Sequence, residues 1–219
     1  MKRKTASFTG MRPIFTGSPS IVQGGFNLDV VGQKFRVGDV IPAGTLAIRD
    51  EATRKVQVIK TAKVVEVDSE NNKKVTLYVD EFFAPCFAVG DSVLKAGAVT
   101  GTFASAPTIA SIDNGKCLNN TGNVYVVTLS AAITGLKAGD VIVEVVKDGS
   151  NNAKERGKAN SVTFRDYEVS EFETAVDVSA DTMQYALYER RVSPIPSSQK
   201  DSTGMFLSAN PHVKLTQSY

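Results

Sequence analysis

Apolar and polar positions alternate along most of this chain, and Gly, Asp, Asn and Pro break the alternation at short intervals. In KVQVIKTAKVVEV, Val56 and Val58 and then, after a one-residue shift, Val64, Val65 and Val67 stand among Lys, Gln, Thr and Glu. This period of two predicts strands with one wet and one buried face. The turn formers of DSENN, Asp68 to Asn72, separate that run from Val75–Val79, so the two strands read as a hairpin. Val124 to Leu129 is a further strong strand. VTFRDYEV is another, with Val162, Phe164 and, after a phase shift, Tyr167 and Val169 as apolar positions. Pro85 in FFAPCF demotes that segment to a corner or an edge. One short helix is predicted before Pro194, capped by Ser179 or Asp181 and striped by Met183, Ala186 and Leu187, although QYALYERRV also reads as a strand.

One phrase recurs. FRVGDVIPAGTLAI, from Phe35 to Ile48, returns as FAVGDSVLKAGAV from Phe87 to Val99 and, shortened, as LKAGDVIVEVV from Leu136 to Val146. Each copy holds a Gly-Asp pair: Gly38 and Asp39, Gly90 and Asp91, Gly139 and Asp140. Gly supplies the dihedrals of a tight turn and Asp accepts backbone hydrogen bonds within it, so each pair predicts a turn feeding the strand that follows. Ala43-Gly44 and Ala96-Gly97 close the first two copies with a second turn. The copies read as small β modules of one barrel-like domain, not as stacking repeats of fixed period.

The ends look different. Residues 1–24 are rich in Ser, Thr, Gly and Pro, with isolated aromatics and no period, which predicts an extended N-terminal arm. Residues 101–149 are rich in Ala, Ser and Thr and suggest an inserted β-rich lobe, and Asp148 to Ser161 is a polar loop. Residues 193–219, with Pro194, Pro196 and Pro211, read as a second extended tail. The expected fold is therefore mainly β: a β-tulip-like or β-sandwich-like barrel over 25–100 and 150–192, an inserted lobe and two arms. Phe8, Met11, Phe15 and Phe26, with Met205, Phe206 and Tyr219 in the tail, are candidate partner contacts, and each also reads as an ordinary core residue.

Composition narrows the chemistry. Lys and Arg number 25 against 23 Asp and Glu, for a net charge of +2 over 219 residues, and the signs are interspersed. A nucleic-acid binder needs a concentrated basic face, so none is expected, and Lys60, Lys63, Lys73 and Lys74 read as the solvated face of the hairpin. Cys86, Cys117 and the one histidine, His212, lie too far apart to predict a zinc cluster or a disulfide framework, and both cysteines are expected to be reduced and buried. The first residues are basic but lack an apolar leader, and no run approaches the length of a membrane span, so a chain made in the cytoplasm and not secreted by a classical signal, with no membrane partner, is expected. GxGxxG, P-loop and HExxH patterns do not occur, and His212 sits in the tail, so neither a cofactor nor a catalytic triad is predicted. Asp80, Glu81 and Asp91 are carboxylates that glycoside chemistry would need paired, whereas residues near turns are usually solvated. Asp68, Glu70 and Asn72 alternate as oxygen ligands but lack the rest of a calcium loop.

VGDVIPAGTL and VGDSVLKAGAV resemble the V-G-D-x-V-x-x-G turn of lipoyl and biotinyl carrier domains. The carrier lysine is missing its context, since Lys55 in TRKVQ and Lys74 in NKKVT are flanked differently. From about Gly25 to Asp50 the chain also resembles the head decoration and auxiliary capsid proteins of tailed bacteriophages, in which an N-terminal arm precedes phrases like VGDVIPAGTLAIRD and a Lys-containing hairpin. That resemblance implies a non-enzymatic virion protein, on the capsid surface and oligomeric, whose partners are the major capsid protein or other head proteins. Extended arms and lattice avidity suit such a role, because many weak contacts add. A carbohydrate- or surface-binding β module of a fibre or envelope protein is the alternative, and an enzyme comes third.

Overall fold

The structure is a computed structural model, and it describes residues 13–18, 20–21, 25–80, 82–115, 125–179 and 186–217. The protein is mainly β, with curled, barrel-like sheets. The helical elements among the described residues are three short 3-10 turns.

A five-stranded sheet runs in the order Ser161–Val162, Leu46–Asp50, Lys55–Val58, Phe26–Leu28, Ala175–Val176. Its pairs are antiparallel except Phe26–Leu28 beside Lys55–Val58. A seven-stranded sheet follows the order Ala153–Glu155, Val141–Lys147, Thr61–Val67, Lys74–Leu77, Tyr125–Leu129, Ile109–Asp113, with Val93–Lys95 also on Val141–Lys147. The predicted hairpin is there: Val67 lies opposite Val75, and the Asp68 carboxylate accepts from the amides of Glu70 and Asn71. The chain crosses from the first sheet to the second at Ile59 and Lys60.

Three apolar clusters follow from this arrangement. Phe26, Ile41, Val56, Val58 and Val176 fill the inside of the first sheet, and Val64, Val75, Ile109, Val127 and Ile142 that of the second. The third, around Leu46, Ile59, Val143, Leu187, Val213 and Leu215, takes residues from both and from the C-terminal segment. Burying a side chain of this size contributes about 1.5–3 kcal/mol, so the third cluster is what joins the parts.

Three expectations need correction. Residues 101–149 do not stand apart as a lobe, because Ile109–Asp113, Tyr125–Leu129 and Val141–Lys147 complete the sheet begun by 61–77. Asp148 to Ser161 is not a plain loop, since Ala153–Glu155 folds back on Val145–Lys147 after a turn organised by the Asp148 carboxylate. The tail is no arm: Asn210–Thr216 pairs with both Leu187–Tyr188 and Phe206–Leu207 and buries Val213 and Leu215, an alternation that the prolines obscured. Of the segment before Pro194, the described part is the Leu187–Tyr188 strand, the second of the two readings of QYALYERRV, and a 3-10 turn over Glu189–Arg191, with Ser179 bridged to Ile21. Asp181 and Met183 lie outside the described residues.

Around Phe15 the N-terminal segment is likewise strapped on. Phe15 bridges Leu187, the Thr16 amide donates to the Ala186 carbonyl at 2.9 Å, and the Tyr188 amide donates to the Ile14 carbonyl at 2.8 Å. Phe15 and Phe26 are 5% and 1% exposed, so both serve this chain's own core instead of reaching a partner. Phe206 is half-buried and Met205 exposed, while Phe8, Met11 and Tyr219 lie outside the described residues.

Candidate functional site

The repeated Gly-Asp phrase folds three times into one device. Gly38, Gly90 and Gly139 all have φ of +89°, a conformation open to glycine, and the amide of each following Asp donates back to Arg36, Ala88 or Lys137. Each Asp carboxylate in turn accepts from the amide three residues earlier, at 2.7, 2.7 and 2.9 Å. Every turn then grips one residue of a neighbouring segment. The Gly amide donates to that residue's carbonyl and the Asp carbonyl accepts from its amide: Val169 for Gly38-Asp39, Ile109 for Gly90-Asp91, Val64 for Gly139-Asp140. The closing turns match as well, with Gly44 and Gly97 at φ of +77° and +78°.

The middle copy is put to a second use. Asp91 is buried, and its Oδ2 accepts from the Lys60 ammonium at 2.8 Å as well as from the Ala88 amide. Lys60 is fully buried, which corrects its assignment to the solvated face. Its ammonium also donates to the Lys34 carbonyl at 2.6 Å and lies 4.2 Å from the centre of the Phe35 ring. The phase was present in the sequence: Val56, Val58, Lys60, Ala62 and Val64 are successive inward positions of one run. Asp80 caps the amides of Phe82 and Phe83 and does not pair with Asp91, while Glu81 lies outside the described residues.

Beside this pair, Glu144 and Arg156 form a second buried ion pair at 2.9 Å, with side chains 5% and 6% exposed. Arg156 also donates to the Gly32 carbonyl. Burial pushes the Glu144 carboxyl above its ordinary range, Lys60 and Arg156 oppose that shift, and Asp91 adds to it. Burial likewise pushes the Cys86 thiol up to about 12, which keeps it protonated and inert, while Cys117 lies outside the described residues. A cleft of about 320 Å³ opens against the two pairs, and Gly32, Lys34, Asp91, Phe103, Glu144 and Arg156 are among its walls. Asp91 Oδ1, Glu144 Oε2 and Arg156 Nε have no hydrogen-bond partner among the described residues. Glu144, a charge between the apolar runs VIV and VV, was the signal that sequence reading passed over.

A second feature is apolar and open. Val30, Val31 and Val37 are 56%, 73% and 67% exposed, and Phe172 is 92% exposed. They stand on turns around one loop: the Leu28 amide donates to the Thr174 carbonyl on one side of residues 170–174, and the Gly38 amide donates to the Val169 carbonyl on the other. The Ser170 hydroxyl donates to the Glu173 carbonyl and holds the loop shut, so Phe172 is presented on a fixed base.

His212 is exposed on the Asn210–Thr216 strand, and among the described residues no three His, Cys, Asp or Glu side chains gather to hold a metal. No described helix is long and apolar enough to cross a membrane. Comparison with protein-family models, curated protein sequences and solved structures finds no match to this chain.

Proposed function

We propose that this protein is a structural component of a tailed-bacteriophage virion that binds the outer surface of the head and stabilises the shell, as an oligomer and without catalysis. The observation that carries this reading is where the exposed apolar residues fall. Val30, Val31 and Val37 lie inside the Gly25–Asp50 stretch that resembles head decoration proteins, and Phe172 joins them from the neighbouring loop. These four are more exposed than the other large apolar residues described, Val65, Tyr78, Val89 and Met205, and their gathering around one loop supports a surface for another protein. The clamped turns keep that surface rigid, so little ordering entropy opposes docking. Repetition over a symmetric shell makes a modest contact per copy sufficient.

The test is sedimentation of the source lysate on a density gradient with the chain located by mass spectrometry. Co-migration with heads at a fixed ratio to a major shell protein is the expected result. A chain that stays at the top of the gradient while intact heads sediment overturns the reading.

A further inference from the structure

We propose that Lys60 and Asp91 join covalently, their amine and carboxyl condensing to an intrachain isopeptide bond with Glu144 as the proton relay. All three groups are enclosed: the side chains of Lys60, Asp91 and Glu144 are 0%, 1% and 5% exposed. Neighbouring strands bring them together. Lys60 precedes Thr61–Val67, Asp91 precedes Val93–Lys95, and Val141–Lys147, which carries Glu144, pairs with both strands. The Glu144 amide donates to the Lys60 carbonyl at 3.0 Å, and the Val145 amide donates to the Ser92 carbonyl at 2.8 Å. Glu144 therefore stands on the strand between the two partners.

An amine held 2.8 Å from Asp91 Oδ2 lies beside the carboxyl carbon that it attacks. Taking two charges out of water is unfavourable, which narrows the gap between a buried ion pair and its neutral amine and acid. Two protons leave the Lys60 nitrogen, a C–N bond forms to Asp91 Cγ, and the Cγ–Oδ1 bond breaks. Oδ1, which has no hydrogen-bond partner among the described residues, departs with both protons as water. The third proton stays on the nitrogen as the N–H of the new amide, still donating to the Lys34 carbonyl. Oδ2 becomes the amide oxygen. It keeps its bond from the Ala88 amide, which stabilises the charge gathering there while the carbon is tetrahedral. Glu144 Oε2, likewise without a partner among the described residues, carries the protons from nitrogen to Oδ1 and ends as it began. Burial pushes this carboxyl up, which suits it to hold a proton and release it. Nothing is oxidised or reduced, and no co-reactant enters. Until it reacts, the pair contributes as a buried ion pair does.

Intact mass spectrometry of the full chain, folded and then denatured, tests this. Wild type is expected to be lighter than its sequence by one water, and its tryptic digest to show Lys60 uncut and joined to the peptide that holds Asp91. Lys60→Met is expected to keep the full mass of its sequence. So is Glu144→Gln, checked for folding by circular dichroism, because it retains both partners and loses only the relay. Folded wild type at the full mass of its sequence, a lost water that survives Lys60→Met, or one that maps to other residues overturns the bond. A bond formed as fast in folded Glu144→Gln as in wild type overturns the role of Glu144. None of these outcomes depends on whether the protein sediments with heads.

Discussion

Lys60 and Asp91 meet at 2.8 Å with side chains 0% and 1% exposed, at the point where the chain passes from one sheet to the other. The pair joins the start of the first module, through the Lys34 carbonyl, to the turn of the second. Removing one partner leaves a buried charge uncompensated, which typically costs about 3–5 kcal/mol. Lys60→Met and Asp91→Asn are each expected to lose stability of that order in urea unfolding, and the double variant to lose less than their sum. Asp39→Asn, in the equivalent but more open turn, is expected to cost only about 1 kcal/mol. Equal losses at Asp39 and Asp91 would show that the turn alone matters and the ion pair does not.

The two closing turns give a cleaner comparison. Gly44 and Gly97 share nearly the same positive φ, yet a Cβ on Gly44 would lie 2.1 Å from Val192 Cγ1, whereas one on Gly97 meets nothing within 4 Å. Gly97→Ala is expected to cost only the strain of the left-handed region, about 1–2 kcal/mol. Gly44→Ala is expected to cost clearly more. Adding Val192→Ala to it should bring the loss back towards the combined values of Gly97→Ala and Val192→Ala alone. A double variant no better than Gly44→Ala would place the cost elsewhere.

Stability should fall in acid through the turn carboxylates. Asp140 is held below its ordinary value of 3.8 chiefly by its hydrogen bond with Lys95; burial opposes this, and the Lys137 amide and the charges of Lys95 and Lys137 add to the lowering. A carboxyl lowered on folding contributes stability above the unfolded value and loses it as pH falls through the folded one. The difference in Tm between wild type and Asp140→Asn is therefore expected to be full at neutral pH and to shrink below about 3.8. Glu144 has the opposite sign. Its carboxyl is raised by burial, so its contribution is present below the ordinary value of 4.5 and is lost as pH rises through the folded value. A Tm difference for Asp140→Asn that stays constant down to pH 2 would remove Asp140 from the acid transition.

The parts of this fold that were legible are those decided by local chemistry. The Gly-Asp phrase encodes its turn wherever it occurs, and the hairpin around Asp68 follows from alternation and turn formers within one short segment. Pairing between distant segments was not legible, because 101–149 and 61–77 carry no signal of each other. Pro211 and Ser208 hid the alternation of Val213 and Leu215. Lys60 was misplaced because a charge was assumed to face water, although its phase pointed inward. Glu144 and Arg156 were missed for the same reason: a buried charge is recognised by its partner, and partners meet only in the folded chain. Phe172, an aromatic among the charges of SEFET, was visible, but its exposure was not.

Phe172 also gives the most direct access to the proposed head contact. At 92% exposure its side chain contributes almost nothing to the core, and Val31 and Val37 at 73% and 67% contribute little more. Phe172→Ser, Val31→Ser and Val37→Ser are thus each expected to change folding stability by no more than about 0.5 kcal/mol. At a protein interface the same Phe side chain is worth about 1.5–3 kcal/mol, or roughly tenfold to a hundredfold in affinity per copy. The triple variant should retain the wild-type Tm and lose most of its co-sedimentation with heads, and each single variant should show a partial loss. Wild-type occupancy by a folded triple variant would exclude this end of the molecule as the contact, leaving residues 1–12, whose Phe8 and Met11 were the other predicted anchors, as the next segment to delete.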